Sequence, residues 1–216
     1  LVFYDEMLAK LHSVLLSFYK KVYPQTDKPT GENHLILAAY ERSLKAFLTQ
    51  EMQLVKKGEH LIILEVEKKF TVDLSISSHS IPVKIVGTID RIDRFNGVLR
   101  FIDYKTGVID KAKLYWNGWD DFVGEYKRQP LFQVLLYAWS QQVHYPMDTV
   151  FETGIISLKI PMANVLAVIR KDLPKSRNQQ QIDTAFLQDF EQFLIGLIEE
   201  IFDVQKSFVY LESEKD

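Results

Sequence analysis

The sequence contains no cysteine among its 216 residues. This absence excludes a disulfide framework, a thiolate zinc site, an iron–sulfur cluster held within these residues and a cysteine nucleophile. It agrees with a reducing compartment, and we expect a cytoplasmic protein. No stretch approaches the roughly 18 consecutive apolar residues that a membrane-spanning helix needs, so we expect no membrane partner.

An excess of one charge is also missing, because 26 Lys and Arg residues are set against 29 Asp and Glu residues, for a net charge of −3. Proteins that coat nucleic acid carry a strong positive charge. Any phosphate binding here must therefore depend on a local basic patch or on a bound cation. The sequence does not begin with Met and has no basic segment followed by an apolar stretch, so we expect a fragment of a longer polypeptide without a signal peptide.

What the sequence does have is a hydrophobic pattern that alternates between helical and strand periods. No internal repeat or linker interrupts it, so we expect a single domain over residues 1–216. The predicted fold is α/β, with a mixed central β-sheet and flanking helices. Helices are predicted over residues 6–23, 32–56, 131–143 and 182–204, strands over 61–70, 83–93, 98–104, 150–160 and 165–169, and loops over 110–128 and 171–181.

The dipeptide Asn96-Gly97 between two apolar runs is the strongest short-range signal for a β-hairpin. A two-residue turn there sets Asp90 directly opposite Asp103, with Lys105 on the same face. Opposed side chains have Cβ atoms about 4.5–5.5 Å apart, and like charges at that distance are destabilising. A hard divalent cation such as Mg²⁺ relieves the repulsion. The alternative is a solvated face on which the charges are merely adjacent.

Four motifs resemble those of the RecB-like branch of the PD-(D/E)xK nucleases, and within it the nuclease domains of the AddB and RecB exonuclease type. Two of them are VGTIDRID at residues 86–93 and FIDYKTG at residues 101–107. Gln133 and Tyr137 match the Gln-x-x-x-Tyr motif, and His12 lies in a segment similar to the histidine motif. The four motifs occur in the order of the family and span more than half of the chain.

The resemblance implies a restriction-endonuclease-like core that hydrolyses phosphodiester bonds in DNA with Mg²⁺, or with Mn²⁺ as a substitute. Asp90 and Asp103 would be catalytic carboxylates that bind the metal. His12 and the backbone carbonyl of Tyr104 would complete the ligands from the protein. Lys105 would be the third catalytic residue, which orients or activates the attacking water and offsets charge on the phosphate.

The resemblance also implies that Gln133 and Tyr137, one helical turn apart and so on one face, contact the nucleic acid and support the active site. Alternatives remain open for two of these residues. Tyr137 would equally suit a packing role, because its ring is apolar and its tip polar. His12, on the apolar face of the first helix, would equally suit a core position.

Several residues near the motifs have two interpretations. Arg91 is expected on the strand face opposite Asp90, where pairing at the surface is the favoured interpretation, whereas Arg94 is a candidate phosphate contact. Aromatic and basic side chains in the 110–128 loop either form a stacking platform for single-stranded nucleic acid or anchor the loop to the core. These loop residues are Lys113, Trp116, Trp119, Lys127 and Arg128.

The function implied by the resemblance is an exonuclease that trims or resects DNA ends in recombinational repair, with a helicase subunit or domain as a partner. A second hypothesis is a catalytically silent nuclease-like module that binds DNA or protein. A third is a metal-dependent phosphohydrolase acting on small nucleotides. Some RecB-like nucleases carry an iron–sulfur cluster held by cysteines after the last helix, which the present sequence does not reach.

Overall fold

The computed structural model describes residues 2–26, 28–76, 82–122, 128–159 and 165–207. Within these ranges the helices are α1 Val2–Val22, α2 Gly31–Lys56, α3 Gln129–Gln141 and α4 Thr184–Phe202. The strands are β1 Leu61–Leu74, β2 Val83–Phe95, β3 Val98–Lys105, β4 Tyr115–Trp116, β5 Val150–Ser157, β6 Leu166–Ala167, β7 Ile169–Arg170 and β8 Ile182–Asp183. Short 3₁₀ turns cover Lys111–Leu114, Asp120–Phe122 and Gln142–His144.

A six-stranded sheet forms the centre of the fold, in the order β1-β2-β3-β5-β6 with β8 also beside β5. β2 is antiparallel to β3, and β6 and β8 are antiparallel to β5. β3 and β5 run in the same direction. The Thr153 hydroxyl donates to the carbonyl of Phe101, and the Leu158 amide donates to the carbonyl of Lys105. The residue numbers of the two segments therefore increase together. The predicted mixed α/β fold with a central sheet flanked by helices is confirmed.

The β2–β3 hairpin has the predicted turn and register. Asn96 and Gly97 have φ angles of 50° and 87°, the left-handed conformations that a two-residue turn of this kind requires. Residues 91–95 pair with residues 102–98, beginning with Phe95 opposite Val98. Asp90 and Asp103 are the next residues on the two strands beyond the last of these pairs.

The chain forms two compact units. The first, which we call the helical unit, contains Leu1–Leu61, Tyr104–Ile109 and Ile156–Asn164. The second, the sheet unit, contains Ile62–Asp103, Asp110–Ile155 and Val165–Asp216. In the helical unit α1 packs against α2, and in the sheet unit α3 packs against α4.

Aromatic side chains anchor the loop after β3 to α4 in the sheet unit. The Trp119 ring stacks on Phe193 at a centroid distance of 5.1 Å and contacts Phe186 at 5.2 Å. Trp116 meets Phe186 edge to face at 4.9 Å. The two half-buried tryptophans therefore pack against α4, which supports the interpretation that they anchor the loop. Lys127 lies outside the described residues.

Several predicted element bounds differ from those of the structure. The last helix starts at Thr184 rather than residue 182, because the Asp183 carboxylate caps it by accepting a hydrogen bond from the Phe186 amide at 2.8 Å. The segment predicted as one strand over residues 165–169 is two short strands, since β6 pairs with β5 whereas β7 pairs with β4.

None of the described helices is long and apolar enough to cross a membrane.

Candidate active site

The carboxylate of Asp103 lies near the end of β3, where two side chains from α3 hold it. Asp103 is buried, and its Oδ1 accepts hydrogen bonds from Gln133 Nε2 at 2.8 Å and from the Tyr137 hydroxyl at 3.2 Å. Gln133 Nε2 is also 2.8 Å from the Tyr137 hydroxyl oxygen. The predicted pair on one helical face thus converges on one predicted catalytic carboxylate. Contact of Gln133 and Tyr137 with nucleic acid stays a prediction.

Thr153 on β5 fixes the position of α3 relative to β3. Its buried hydroxyl lies 2.9 Å from the carbonyl oxygen of Phe101 and 2.8 Å from that of Val134. Phe101 is two residues before Asp103, and Val134 directly follows Gln133. Thr153 therefore positions both partners of the Asp103–Gln133 hydrogen bond. Sequence reasoning missed it, because a threonine inside a strand is ordinary and carries no distinguishing signal.

Asp90 acts electrostatically on the same tyrosine. Burial raises the pKa of Tyr137 above its ordinary value, and the negative charges of Asp103 and Asp90 raise it further. Each charge disfavours the tyrosinate and so adds to the preference of a phenol for its neutral form at physiological pH. The two carboxylates therefore act on one buried hydroxyl, as expected for residues that follow in register on neighbouring strands.

The interpretation of Arg91 as a surface residue was wrong. Arg91 is only 2% exposed, and its Nε donates to Asp93 Oδ2 at 2.7 Å. Arg100 Nε donates to the other oxygen of Asp93 at 2.7 Å. Arg91 does lie on the face opposite Asp90, but both faces of the sheet are covered at this position. Its charge is therefore neutralised by a buried partner rather than by solvent.

Arg94, the candidate phosphate contact, forms a two-pronged ion pair instead. Its two terminal nitrogens donate to the two carboxylate oxygens of Asp148 at 2.7 and 2.8 Å. This hydrogen bonding lowers the pKa of Asp148 and raises that of Arg94. A guanidinium used in this way is poorly placed to bind a phosphate as well.

His12 belongs to the helical unit and is not a core histidine. Its side chain is 61% exposed, and Nδ1 lies 2.7 Å from Glu41 Oε2. The other oxygen of Glu41 is 2.6 Å from Lys45 Nζ. The hydrogen bond from His12, with a further contribution from Lys45, lowers the pKa of Glu41. A carboxylate on one ring nitrogen is the usual partner of a metal-binding histidine, but the ligand role of His12 stays a prediction.

Tyr104 and Lys105 also belong to the helical unit. The Tyr104 ring meets Phe47 edge to face at 5.8 Å. The carbonyl of Lys105 accepts a hydrogen bond from the Leu158 amide at 2.8 Å, which fixes the end of β3. The metal-ligand role of Tyr104 and the catalytic role of Lys105 stay predictions.

The donor set can be compared with the needs of a divalent metal. Within the described ranges no three His, Cys, Asp or Glu side chains form a group able to hold a metal ion. Mg²⁺, however, is usually bound through one or two carboxylates, with water and substrate phosphate as the other ligands. Asp90 and Asp103 fit that smaller requirement.

Comparison with known proteins identifies the family. A family model described as the PD-(D/E)XK nuclease superfamily matches residues 4–208, which is most of the chain. No curated protein gives a match. The matched region includes the β2–β3 hairpin, α3 and all the residues of the candidate site. The chain therefore belongs to the PD-(D/E)XK nuclease superfamily.

Proposed function

We propose that the protein is a metal-dependent deoxyribonuclease of the RecB-like branch, which hydrolyses phosphodiester bonds in DNA. The observation that carries the proposal is the buried Asp103 carboxylate, held through Oδ1 by Gln133 and Tyr137 of α3. Hydrogen bonds of this kind orient the carboxylate ligands of metal sites.

Each residue of the site has a proposed role. Asp90 and Asp103 hold Mg²⁺, or Mn²⁺ in its place, which when bound lowers the pKa of a coordinated water and neutralises phosphoryl oxygens. Lys105 orients the attacking water and offsets charge on the phosphate. Gln133 and Tyr137 fix the rotation of the Asp103 carboxylate.

The biological setting is proposed from the motif resemblance alone. It favours an exonuclease in DNA-end processing or recombinational repair, acting beside a helicase subunit or domain in the cytoplasm. His12 and the carbonyl of Tyr104 are the proposed additional metal ligands. The whole chain is proposed to act as one nuclease domain.

The central test is cleavage of DNA by wild type and by two active-site variants. Wild type should degrade linear single- or double-stranded DNA with Mg²⁺ or Mn²⁺, and EDTA should abolish the activity. Asp103→Ala and Lys105→Ala should each lose at least 100-fold, because removal of one group that stabilises transition-state charge typically costs that much. Asp73→Ala, which removes an exposed carboxylate on β1, is the matched control and should keep full activity. Undiminished cleavage by Asp103→Ala would overturn the proposal.

Circular DNA separates exonuclease from endonuclease action in the same assay. A closed single-stranded circle has no end, so an exonuclease leaves it intact while it degrades the linear form of the same strand. Equal rates on the two forms would contradict the exonuclease assignment and leave nuclease activity established.

A catalytically silent module that binds DNA or protein is the second candidate. Its signature would be tight binding of DNA by wild type, unchanged by EDTA, with no cleavage at any concentration of Mg²⁺ or Mn²⁺.

A further inference from the structure

A small groove lies on the helical unit beside the end of β3. Its volume is about 240 Å³, and its lining comes from α2 and from the two segments that follow β3 and end β5. Thr106 in the lining directly follows Lys105, and Leu158 in the lining donates its amide to the Lys105 carbonyl at 2.8 Å. The groove is therefore built onto the backbone of the proposed catalytic lysine. Its lining residues are Ile36, Ala39, Tyr40, Ser43, Thr106, Leu158 and Lys159.

The polar groups of the groove suit a phosphate. Tyr40, Ser43 and Thr106 supply hydroxyls, Lys159 supplies a cation, and none of the described lining residues is acidic. In the described part of the chain these side chains have no hydrogen-bond or ion-pair partner within the protein. Hydroxyl and lysine side chains are typical contacts to nucleic-acid phosphates. The groove thus combines donors with positive charge.

The apolar part of the groove suits a nucleobase. Tyr40 is 39% exposed and Ile36 is 45% exposed, so an aromatic ring and an aliphatic side chain are open to solvent next to the hydroxyls. Bases of single strands stack on exposed aromatic rings, and a basic neighbour holds the backbone. One surface offers both kinds of contact.

A second groove of the helical unit has a different lining. It is larger, about 400 Å³, and its described lining comes from α1, α2 and the segment between them. Its lining includes the carboxylate of Glu41 together with Lys28, whereas none of the described lining residues of the smaller groove is acidic.

We propose that the smaller groove is a nucleotide-binding subsite for one nucleotide of the DNA strand, next to the proposed catalytic Lys105. The base stacks on Tyr40 beside Ile36 and Leu158, and its phosphate contacts Lys159 and the Thr106 hydroxyl. The proposal rests on the proposed nuclease function and adds to it a specific contact for the substrate strand.

The test measures binding of a fluorescein-labelled single-stranded oligonucleotide by anisotropy, with EDTA present to prevent cleavage. Tyr40→Ala should weaken binding about ten-fold, whereas Tyr40→Phe, which keeps the ring, should stay within about two-fold of wild type. Lys159→Ala should reduce the slope of log K against log salt by about 0.7, the value for one phosphate contact to a single strand. Leu35→Ala on α2 and Lys20→Ala on α1, exposed residues outside the groove, are the matched controls.

An abasic probe separates the two contacts. Oligonucleotides with one abasic position, moved along the strand, should include one for which Tyr40→Ala no longer weakens binding. If Tyr40→Ala and Lys159→Ala bind like the control variants while wild type binds and cleaves DNA, the subsite is wrong and the nuclease function stands. If wild type neither binds nor cleaves DNA, both proposals fall together.

Discussion

Replacement of Asp93 by asparagine is the most direct test of the electrostatic core beneath the candidate site. Asp93 is 0% exposed and accepts hydrogen bonds from Arg91 Nε at 2.7 Å and from Arg100 Nε and Nη2 at 2.7 and 3.0 Å. Asparagine has almost the same shape but no charge, and its amide group presents donor hydrogens to donor guanidinium groups. Removal of one partner of a buried ion pair typically costs about 3–5 kcal/mol.

Asp93→Asn should therefore lower the melting temperature by about 6–20 °C, since each kcal/mol corresponds to roughly 2–4 °C in a chain of this size. The measurement is thermal unfolding followed by tryptophan fluorescence and circular dichroism. The matched control is Asp73→Asn, whose side chain is 79% exposed and 3.6 Å from Lys84 Nζ, and which should leave the melting temperature almost unchanged. A shift for Asp93→Asn no larger than that of the control would refute the argument that this buried cluster depends on Asp93.

Three further variants probe other parts of the sheet unit. Gly87→Ala would place a methyl group 2.6 Å from Phe70 Cζ and should cost about 1–3 kcal/mol in unfolding free energy. When Phe70→Leu is also present, Gly87→Ala should cost less, because the clashing ring is gone. Arg94 lowers the pKa of Asp148, so that pair stabilises the fold at neutral pH and ceases to do so as the pH falls through the lowered pKa. Asp148→Asn should thus cost about 1 kcal/mol at pH 7 and much less in acid; equal losses at both would contradict this. Trp119→Ala should cost about 3–5 kcal/mol but leave DNA affinity unchanged, whereas a selective loss of affinity would restore the stacking-platform interpretation.

The hairpin was predictable because its determinants are local. Asn96 and Gly97 tolerate the left-handed conformations of a tight turn, and the alternating pattern on each side fixes the register once the turn is known. The neighbouring positions of Asp90 and Asp103 follow from those two facts. The four long helices were predictable for a similar reason, because their apolar periodicity lies within single segments.

The contacts that depend on tertiary packing were not predictable. Alternation placed Arg91 on the face opposite Asp90 but does not reveal whether that face is covered, and so its burial against Asp93 was missed. Thr153 joins three elements that are distant in sequence, and no local pattern marks it. The segment over residues 165–170 contains two strands of different sheets, because each strand is decided by its partner rather than by its own composition.

Three arginines of the β2–β3 hairpin contact carboxylates other than the candidate metal ligands. Arg91 and Arg100 contact Asp93, and Arg94 contacts Asp148. A guanidinium bound to a metal ligand would compete with a divalent cation for the same oxygens. Separate acidic partners for the arginines therefore reduce that competition at the end of the hairpin.

Neutral donors complete this separation at Asp103. Gln133 has no charge, and burial and the two nearby carboxylates raise the pKa of Tyr137 further above the neutral range, in which a phenol is already protonated. Both side chains hold the carboxylate in one orientation without neutralising it. A lysine or arginine in either place would fix Asp103 equally well but would cancel the charge that attracts a metal. An amide and a phenol on α3 are therefore donors compatible with the cation site that we propose at Asp103.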